Sequence, residues 1–348
     1  MFGLRGNEVI GVDIGSFSVK IVQLRKTNSG WMVTAAGIVD ITERRPDSSG
    51  HREADTLRAV LNCLRLIRVK TNLAVCGVGG PQVAVRNFEF PAVPDEEIER
   101  AIQLEARQVC PFNTNDIAVD YRLMPDSNGK TQGYLVVADN QLVKSMARLA
   151  KKARLDCALM DVNELALLNC FNELEKQRKK QGTAILCIGN SHTSMVIEGD
   201  NGWPFIRNLN YAGDSILKRV AAENDMTPES VKAMFFGDPR EIQPEIQHSF
   251  ENACSRLITD INNTVRYYGA QRRSSDIQKI LICGGFALFG ELVKFLDSQL
   301  QLEIKLWNPY ENMRCQLARN PRGALVKGIL RKNGPAMAVA AGLAMRSI

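Results

Sequence analysis

The sequence predicts an α/β protein built from two similar domains that face each other across a cleft. The main observation is an internal repeat, in which VDIGSFSVKIV at residues 12–22 aligns with LCIGNSHTSMV at residues 186–196. Each copy has the pattern of a strand, a turn centred on a glycine and a second strand, followed by a polar turn that ends in Gly-Trp. A supersecondary unit that recurs at the start of each half indicates two equivalent domains. Segments with strand and helix periodicity alternate through the rest of the chain.

The first copy of this hairpin carries residues suited to a phosphate group and a divalent ion. Asp13 could hold hydrated Mg²⁺, and the backbone amides around Gly15 and Ser16 could bind phosphate oxygens. Ser18 adds a hydroxyl and Lys20 a positive charge. The alternative is an ordinary hairpin turn that Asp13 only stabilises. Because the stretch occurs twice, the binding interpretation gains weight over the ordinary turn.

Length and composition fit a two-domain globular protein. The chain has 348 residues, of which 45% are hydrophobic and 24% charged, which is enough for two sizeable cores. The net charge of +6 is a mild excess that suits an anionic membrane surface or an acidic partner. No basic run with interleaved aromatic residues indicates nucleic acid. The nine cysteines form no CxxC pair, which favours free thiols in the cytoplasm, and neither a signal peptide nor a transmembrane segment is expected.

The secondary structure of the first half follows from residue periodicity. We expect three strands within residues 8–40, an amphipathic helix at 54–69 and a buried strand at 73–78. Residues 82–137 have a different pattern, with the strand VAVRNFEFP, a helix that has three acidic residues in its first turn, and a hairpin. This block is predicted to be a small α+β subdomain inserted into the first domain. Such an insert is where a specific binding function would lie.

Three fragments of this insert, VRNFEFP, EEIERAIQLEARQVCPF and VDYRLM, resemble the PilM family of type IV pilus assembly proteins. The resemblance continues in collinear order through LDCALMDVNELALLNCF, FIRNLNYAGDSI, TVRYYGAQ, KILICGGFALFGELVKFL and GPAMAVAAGLAMR. It implies an actin-like (ribonuclease H-like) fold with an interdomain nucleotide cleft. The first domain is then expected at 1–181, with its insert at 82–137, and the second at 182–348, with a closing helix at 335–348 that returns to the first.

The resemblance implies phosphate loops that hold ATP and Mg²⁺. The first loop keeps all the residues expected of the family: Asp13, Gly15, Ser16, Ser18 and Lys20. Asp13 would contact Mg²⁺ through water. In the second loop only Gly189 and Thr193 match, because Cys187 stands where the family has an aspartate.

The adenosine side of the cleft also departs from the family pattern. Three glycines complete the predicted nucleotide site: Gly213 of the AGD turn, and Gly284 and Gly285 of the adenosine loop. Phe286 follows where a third small residue usually lets the base and ribose approach. The family carries a glutamate and a lysine on the helix after TPES, and here Lys232 and Phe235 align with them.

These departures favour a scaffold over an enzyme. A neutral thiol at Cys187 cannot share Mg²⁺ with Asp13, so ATP turnover is expected to be absent or very slow, although backbone amides could still bind the nucleotide. The alternatives are an active ATPase that drives assembly, a sugar kinase of the same superfamily, and an FtsA-like protein that forms filaments. A sugar kinase needs a catalytic aspartate, for which Asp161 is the best candidate. An FtsA-like anchor needs an amphipathic helix beyond the closing helix.

The partner implied by the resemblance is the cytoplasmic N-terminal segment of a PilN-like membrane protein, which would hold this chain at the cytoplasmic face of the inner membrane. The peptide is expected in a groove between the first domain and the insert, where a sheet edge offers main-chain hydrogen bonds. The predicted contacts are Arg86, Phe88 and Phe90 of the strand VAVRNFEFP. The alternatives are that Arg86 pairs with an acid such as Glu105, and that both phenylalanines belong to the core. Self-association is left open.

Overall fold

The structure is a computed structural model that describes residues 8–42, 49–112, 116–125, 129–175, 182–199, 202–237, 242–271, 276–315 and 321–348. The junction between the two predicted domains, at residues 176–181, lies outside this set. The strands form two large sheets and one small sheet. Of the helices in the described ranges, none is both long enough and apolar enough to cross a bilayer.

The first large sheet is built on the three strands predicted within residues 8–40. Its strands in chain order are β1 (Ile10–Ile14), β2 (Ser18–Thr27), β3 (Gly30–Asp40), β4 (Leu73–Val78), β8 (Asp156–Val162) and the short β14 (Arg314–Cys315). Their order across the sheet is β14-β3-β2-β1-β4-β8, with β1, β2 and β3 antiparallel and with β4 and β8 parallel to β1. Helix α1 (Ser49–Ile67) covers one face and begins five residues before the predicted position. Helices α3 (Asn140–Lys152) and α4 (Asn163–Leu174) flank β8 along the chain.

The insert has the predicted order of strand, helix and hairpin. It contains β5 (Val83–Pro91), α2 (Asp95–Val109), β6 (Ile117–Leu123) and β7 (Lys130–Asp139). The strands pair antiparallel in the order β5-β7-β6, so β7 is central and both other strands are edges of this small sheet. Helix α2 places Ile98, Ile102 and Ala106 on one face, where they pack with Leu135 and Val137 of β7.

The second large sheet repeats the topology of the first. Its strands are β9 (Gly182–Ile188), β10 (Thr193–Glu198), β11 (Pro204–Leu209), β12 (Ile277–Cys283) and β13 (Glu303–Leu306). The order β11-β10-β9-β12-β13 matches β3-β2-β1-β4-β8, and the same pairs are antiparallel or parallel. The helices that follow these strands are α5 (Gly213–Glu223), α6 (Pro228–Phe235), α7 (Pro244–Gln271) and α8 (Gly290–Gln299). The repeat found in the sequence is therefore a repeat of the sheet.

The C-terminal segment returns to the first sheet, as predicted, but its helix is shorter than the predicted 335–348. Helix α9 (Pro321–Asn333) is followed by a 3-10 turn at Gly334–Met337 and then by α10 (Ala338–Ala344). The α-helix does not begin at Pro335 because the carbonyl of Pro335 accepts a hydrogen bond from the amide of Gly284, and that of Met337 accepts one from the Tyr310 hydroxyl. Helix α10 contacts β1, β4 and α4.

Candidate functional site

The two hairpin turns of the repeat face the same cavity. This cavity has a volume of about 990 Å³ and lies between the two large sheets, with Gly15 of one turn and Gly189 of the other in its wall. In the first turn the Gly15 amide donates to the Ser18 carbonyl at 3.1 Å, and in the second the Gly189 amide donates to the His192 carbonyl at 3.0 Å. The turns are thus closed in the same way. In both turns the glycine amide donates its hydrogen bond within the turn, so neither amide is free to bind a phosphate oxygen.

The predicted first phosphate loop lines this cavity with all of its residues. They are Asp13, Gly15, Ser16, Ser18 and Lys20. Asp13 and Lys20 are opposite each other in the β1–β2 pair, and the Lys20 ammonium lies 3.2 Å from an Asp13 carboxylate oxygen, with both side chains buried. This ion pair offsets the cost of burying either charge alone. A phosphate chain entering here would meet one ammonium group next to one carboxylate.

The second hairpin lacks a charged pair at the equivalent position. Cys187 and Ser194 face each other across β9 and β10 as Asp13 and Lys20 do across β1 and β2. The Cys187 thiol also contacts Cys283 on the neighbouring strand β12. The hydrogen bond with Cys187, together with the burial of Cys283 itself, raises the pKa of Cys283. Among the described residues, no group of three or more histidine, cysteine or acidic side chains could hold a metal ion. The residues present therefore fit Mg²⁺ only if Asp13 binds the ion through a water molecule and phosphate oxygens supply the other ligands.

Two of the predicted nucleotide contacts lie behind the cavity wall. The Thr193 hydroxyl is fully buried and donates to the Tyr211 carbonyl at 2.8 Å. Gly213 is covered by the ring of Phe286, which lies so close that a Cβ at this position would collide with it. The expectation that Thr193 and Gly213 contact the ligand directly is therefore wrong for this arrangement, because their surfaces are already occupied. Gly189, Gly284 and Gly285 do line the cavity.

Phe286 belongs to an aromatic cluster of the second half. Its side chain is 3% exposed, and its ring centroid lies 5.8 Å from that of Phe236 and 6.4 Å from that of Phe289. The ring forms part of the cavity wall next to the Gly284-Gly285 turn. It fills the space beside Gly213, and the expectation that it crowds the base and ribose of a nucleotide stays a prediction.

A second glycine-rich turn lines the cavity and was missed by the sequence analysis. Gly77 lies near the end of β4, and Gly79 and Gly80 follow the strand. Strand pairing makes it the counterpart of the adenosine loop, because Val12 pairs with Cys76 as Leu186 pairs with Ile282. The signal was present in the sequence as GVGG after one buried strand and CGG after the other. Finding it required extending the repeat to the fourth strand, beyond the first hairpin.

The first turn of α4 carries two polar residues next to this glycine turn. Asn163 lines the cavity, and its buried Oδ1 has no hydrogen-bond partner among the described residues. Glu164 is fully buried, and this burial raises its pKa to about 7, although hydrogen bonds with Ser194 and the Gly80 backbone act against the shift. Glu164 therefore links the first half to the second. Its role was not evident from the sequence, because an acid at the start of a helix is ordinary.

The hairpin tip of the first half and helix α6 of the second meet at the cavity. The Lys232 ammonium lies 2.9 Å from the centroid of the Phe17 ring, and both residues are in the cavity wall. Burial lowers the pKa of Lys232. A cation on an aromatic face is favourable and gains strength when water is excluded. Lys232 thus stands in the cleft, as the family alignment predicts, but its partner here is an aromatic ring.

A smaller groove of about 240 Å³ lies between the insert and the rest of the molecule. The insert contributes Arg122, Met124 and Tyr134 to it. The remaining lining residues come from α4, from the region of β10 and β11, and from the C-terminus: Leu165, Leu168, Asn169, Asn172, Glu198, Gly202, Pro204 and Arg346. Arg346 is held by a bidentate ion pair with Asp161, with N–O distances of 2.6 and 3.0 Å. The groove combines apolar walls with charges of both signs.

The predicted partner contacts on β5 do not form a binding surface together. Phe88 is buried in the core of the insert with α2, and its ring stacks on that of Phe90 at a centroid distance of 5.0 Å. The prediction that Phe88 contacts a partner is therefore wrong, because this side of β5 faces α2. Arg86 is exposed and donates to the carbonyl of its neighbour Val85 at 2.9 Å. Within the part of the chain that the structure describes, no ion pair joins Arg86 to Glu105.

Comparisons with known proteins agree with this architecture. The family model for the type IV pilus assembly protein PilM matches residues 11–348. Among solved structures, the PilM-PilN type IV pilus biogenesis complex is similar, with 21% identity, a TM-score of 0.80 and coverage of 99% of each chain. The ethanolamine utilization protein EutJ from Carboxydothermus hydrogenoformans has 10% identity and a TM-score of 0.58 over 98% of this chain and 90% of that chain. A diol dehydratase-reactivating factor in nucleotide-free form has 11% identity and a TM-score of 0.54, covering 97% and 98%. The predicted actin-like fold is confirmed.

Proposed function

Because the chain belongs to the PilM family of type IV pilus assembly proteins, we propose that it is a scaffold that captures the N-terminal peptide of a PilN-like membrane protein. The observation that supports this proposal is the groove between the insert, α4, the region of β10 and β11, and the C-terminus. It borders the insert, where the peptide is expected, but its insert wall is formed by β6, β7 and the residue after β6, with no residue of β5, and its other walls include residues of the second half. The similar solved structure is of a PilM-PilN complex.

The lining of the groove suits a short extended peptide. Arg122 is exposed on the edge strand β6 and forms no ion pair among the described residues, so it can receive a peptide carboxylate or carbonyl. Leu165, Leu168 and Met124 offer apolar contacts for side chains. An edge strand such as β6 can also supply main-chain hydrogen bonds. These features combine orientation by polar groups with affinity from buried apolar surface.

Location and nucleotide binding follow from the same proposal. A chain captured by the cytoplasmic segment of a membrane protein is held at the inner membrane through that partner. In the large cavity, Lys20, Ser16 and Ser18 would hold the phosphates of ATP, and Asp13 would hold Mg²⁺ through water. When bound, Mg²⁺ neutralises phosphate charge. Cys187 offers no second carboxylate, so the nucleotide serves as a structural ligand.

Calorimetric titration of the full chain with a synthetic peptide of the PilN-like protein's N-terminal segment tests the proposal. We expect one peptide per chain, and we expect Arg122→Ala to weaken binding about tenfold or more, because a lost hydrogen bond to a charged group is worth about 1.5–3 kcal/mol.

Arg100→Ala is the matched control, since Arg100 is also exposed but lies on α2, away from the groove. Unchanged affinity for Arg122→Ala, together with loss of binding for Arg86→Ala, would move the peptide to β5 and contradict the groove assignment.

A further inference from the structure

Two cysteines meet on neighbouring strands of the first sheet. Cys76 is on β4 and Cys157 is on β8, and neither residue lines the large cavity or the groove. Cys157 lies opposite Ala74 in the register, so Cys157 is on the same face of the sheet as Cys76, two residues beyond Ala74. The Cys76 thiol donates a hydrogen bond to the Cys157 sulfur. The two sulfur atoms are therefore in contact.

The two thiols differ in their access to solvent. Cys76 is fully buried in the core under α1. Cys157 is half-buried, and β8 is the last strand of its sheet. The residues on both sides of Cys157, Asp156 and Ala158, are exposed. A reagent in solution can thus reach Cys157, while Cys76 is shielded.

The surroundings also make Cys157 the more reactive thiol. The hydrogen bond from Cys76 lowers the pKa of Cys157 to about 7, although partial burial and the negative charge of Asp156 act in the opposite direction. The same hydrogen bond and its own burial raise the pKa of Cys76. Because the thiolate is the nucleophile, Cys157 reacts first and Cys76 stays protonated. An accessible thiol of low pKa beside a second thiol is the usual arrangement of redox-sensitive cysteines.

The position of β8 allows the two sulfurs to approach bonding distance. The strand pairs with β4 on one side only, and its register with β4 shifts at Ala158. A strand held on one side can move slightly, so rotation of the two side chains can close the gap. Cys187 and Cys283 are also neighbours, but they lie on β9 and β12, each of which is held between two strands. The pair at the sheet edge is therefore the better placed of the two to form a bond.

We propose that Cys157 and Cys76 form a reversible disulfide when the chain meets a small disulfide such as oxidised glutathione, and that this bond clamps β8 onto β4. In the first step the Cys157 thiolate attacks one sulfur of the small disulfide, forms a mixed disulfide and releases one small thiolate. In the second step the Cys76 sulfur attacks Cys157, and the second small thiolate leaves with the proton of Cys76. Two protein thiols are thus oxidised, and one small disulfide is reduced to two thiols.

The bond would strengthen the edge of the first sheet. An edge strand with exposed residues opens locally more easily than a central strand. The link between Cys76 and Cys157 would also close a loop that contains the whole insert and α3, and a cross-link that closes a long loop restricts the unfolded chain strongly. The inference needs neither the peptide nor the nucleotide, so it stands apart from the proposed function.

The test is incubation of the full chain with oxidised glutathione, followed by alkylation of the remaining thiols and mass spectrometry of the unreduced peptides. We expect a link between the peptides of Cys76 and Cys157, with the loss of two hydrogen atoms in mass, and its removal by dithiothreitol. Amide exchange in residues 156–162 should be at least about tenfold slower in the oxidised chain. Free thiols at both positions, or a link that leaves exchange in β8 unchanged, overturns the proposal.

Two variants test the order of the steps. Cys76→Ala should stop the reaction after the first step, with glutathione held on Cys157. Cys157→Ser should leave Cys76 unmodified, because the Cys76 thiol is buried. Glutathione on Cys76 in Cys157→Ser, or no glutathione on Cys157 in a folded Cys76→Ala chain, would contradict the mechanism. The mapping of the unaltered chain depends on neither variant.

The matched control is Cys315→Ser. Cys315 is also half-buried and lies on β14, the strand at the opposite edge of the same sheet, but the residue across from it is Val33. The link between Cys76 and Cys157 should form in this variant as in the unaltered chain. If the link fails to form without Cys315, or if Cys157 pairs with another cysteine in the unaltered chain, the assignment of the pair is wrong.

Discussion

At the scale of single residues, Asp13 and Cys187 show how two equivalent positions can differ in chemistry. Both lie on the first strand of their sheet, and each faces a residue of the second strand in the same register. Only Asp13 carries a charge, which Lys20 balances at 3.2 Å. A Mg²⁺ ion would thus find one carboxylate at these two equivalent positions.

This difference predicts very slow ATP turnover. We expect the purified chain to release phosphate at least about a hundredfold more slowly than the ~1 s⁻¹ lower end of ordinary enzyme rates. A phosphate-release assay with Asp13→Ala as the blank measures this. Turnover at ordinary rates that Asp13→Ala abolishes would contradict the account and favour an active ATPase.

Glu164 predicts a dependence of stability on pH. Its pKa is raised from 4.5 to about 7 by burial, so the folded chain holds the proton more tightly than the unfolded chain does. The stabilisation from that proton is complete below pH 4.5 and is lost as the pH rises through about 7. The free energy of unfolding should therefore fall by up to about 3 kcal/mol between pH 5 and pH 8.

Urea unfolding of the chain and of Glu164→Gln at these two pH values checks this prediction. The variant cannot lose a proton at this position, so its unfolding midpoint should depend less on pH. The negative charge of the nearby Asp161 raises the pKa of Glu164 further. The pH dependence therefore arises at the start of α4. An equal pH dependence in both proteins would show that Glu164 ionises as freely in the folded chain as in the unfolded one.

At the scale of elements, the sequence predicts the strands and helices well but not which side chains they leave exposed. Alternating and helical periodicity locates β5, α2 and the hairpin of the insert, because those patterns are local. The burial of Phe88 depends on which face of β5 meets α2, and this is settled by packing. Thr193 and Gly213 resemble ligand contacts in sequence. In the fold, however, the Thr193 hydroxyl donates to the Tyr211 carbonyl, and the Phe286 ring covers Gly213. Such contacts are non-local and leave no sequence pattern.

The contact of α10 with α4 predicts different effects for two glycine substitutions. Gly342→Ala places a methyl group against the Ala166 carbonyl and should destabilise the chain by roughly 1–3 kcal/mol. Gly328→Ala, in α9, meets open space and should be neutral or stabilising by about 0.5–1 kcal/mol. Chemical denaturation of the two variants measures the difference. Equal effects would mean that α10 does not approach α4 closely.

We expect the chain to fold without most of the insert if the insert residues that pack in the main core are kept. Val83 and Val85 on β5 and Ala138 on β7 belong to the main core, so they must stay. Arg86 pairs with Leu135, and a two-residue turn can therefore join them in place of residues 87–134. This variant loses Arg122, Met124 and Tyr134. It should fold with both large sheets and lose peptide binding, as circular dichroism and calorimetry would show; full affinity in a folded variant would place the peptide elsewhere.

At the scale of the whole molecule, the repeat in the sequence predicts two sheets of the same topology around one cavity. It could be read because the glycine turns at Gly15 and Gly189 must keep their local pattern. The groove could not be placed in the same way, because its walls come from the insert, α4, β10 and the C-terminus, which are far apart in sequence. In the proposed scaffold these distant segments meet to hold the membrane partner.

The most direct measurement is photo-crosslinking of the full chain to the N-terminal peptide of the PilN-like protein, carrying a photoreactive residue, with the attachment sites mapped by mass spectrometry. The account predicts attachment within residues 122–134 of the insert or 165–172 of α4, and competition by unlabelled peptide. Attachment confined to the exposed face of β5 around Arg86, or to the large cavity, or attachment that excess unlabelled peptide does not reduce, would contradict it.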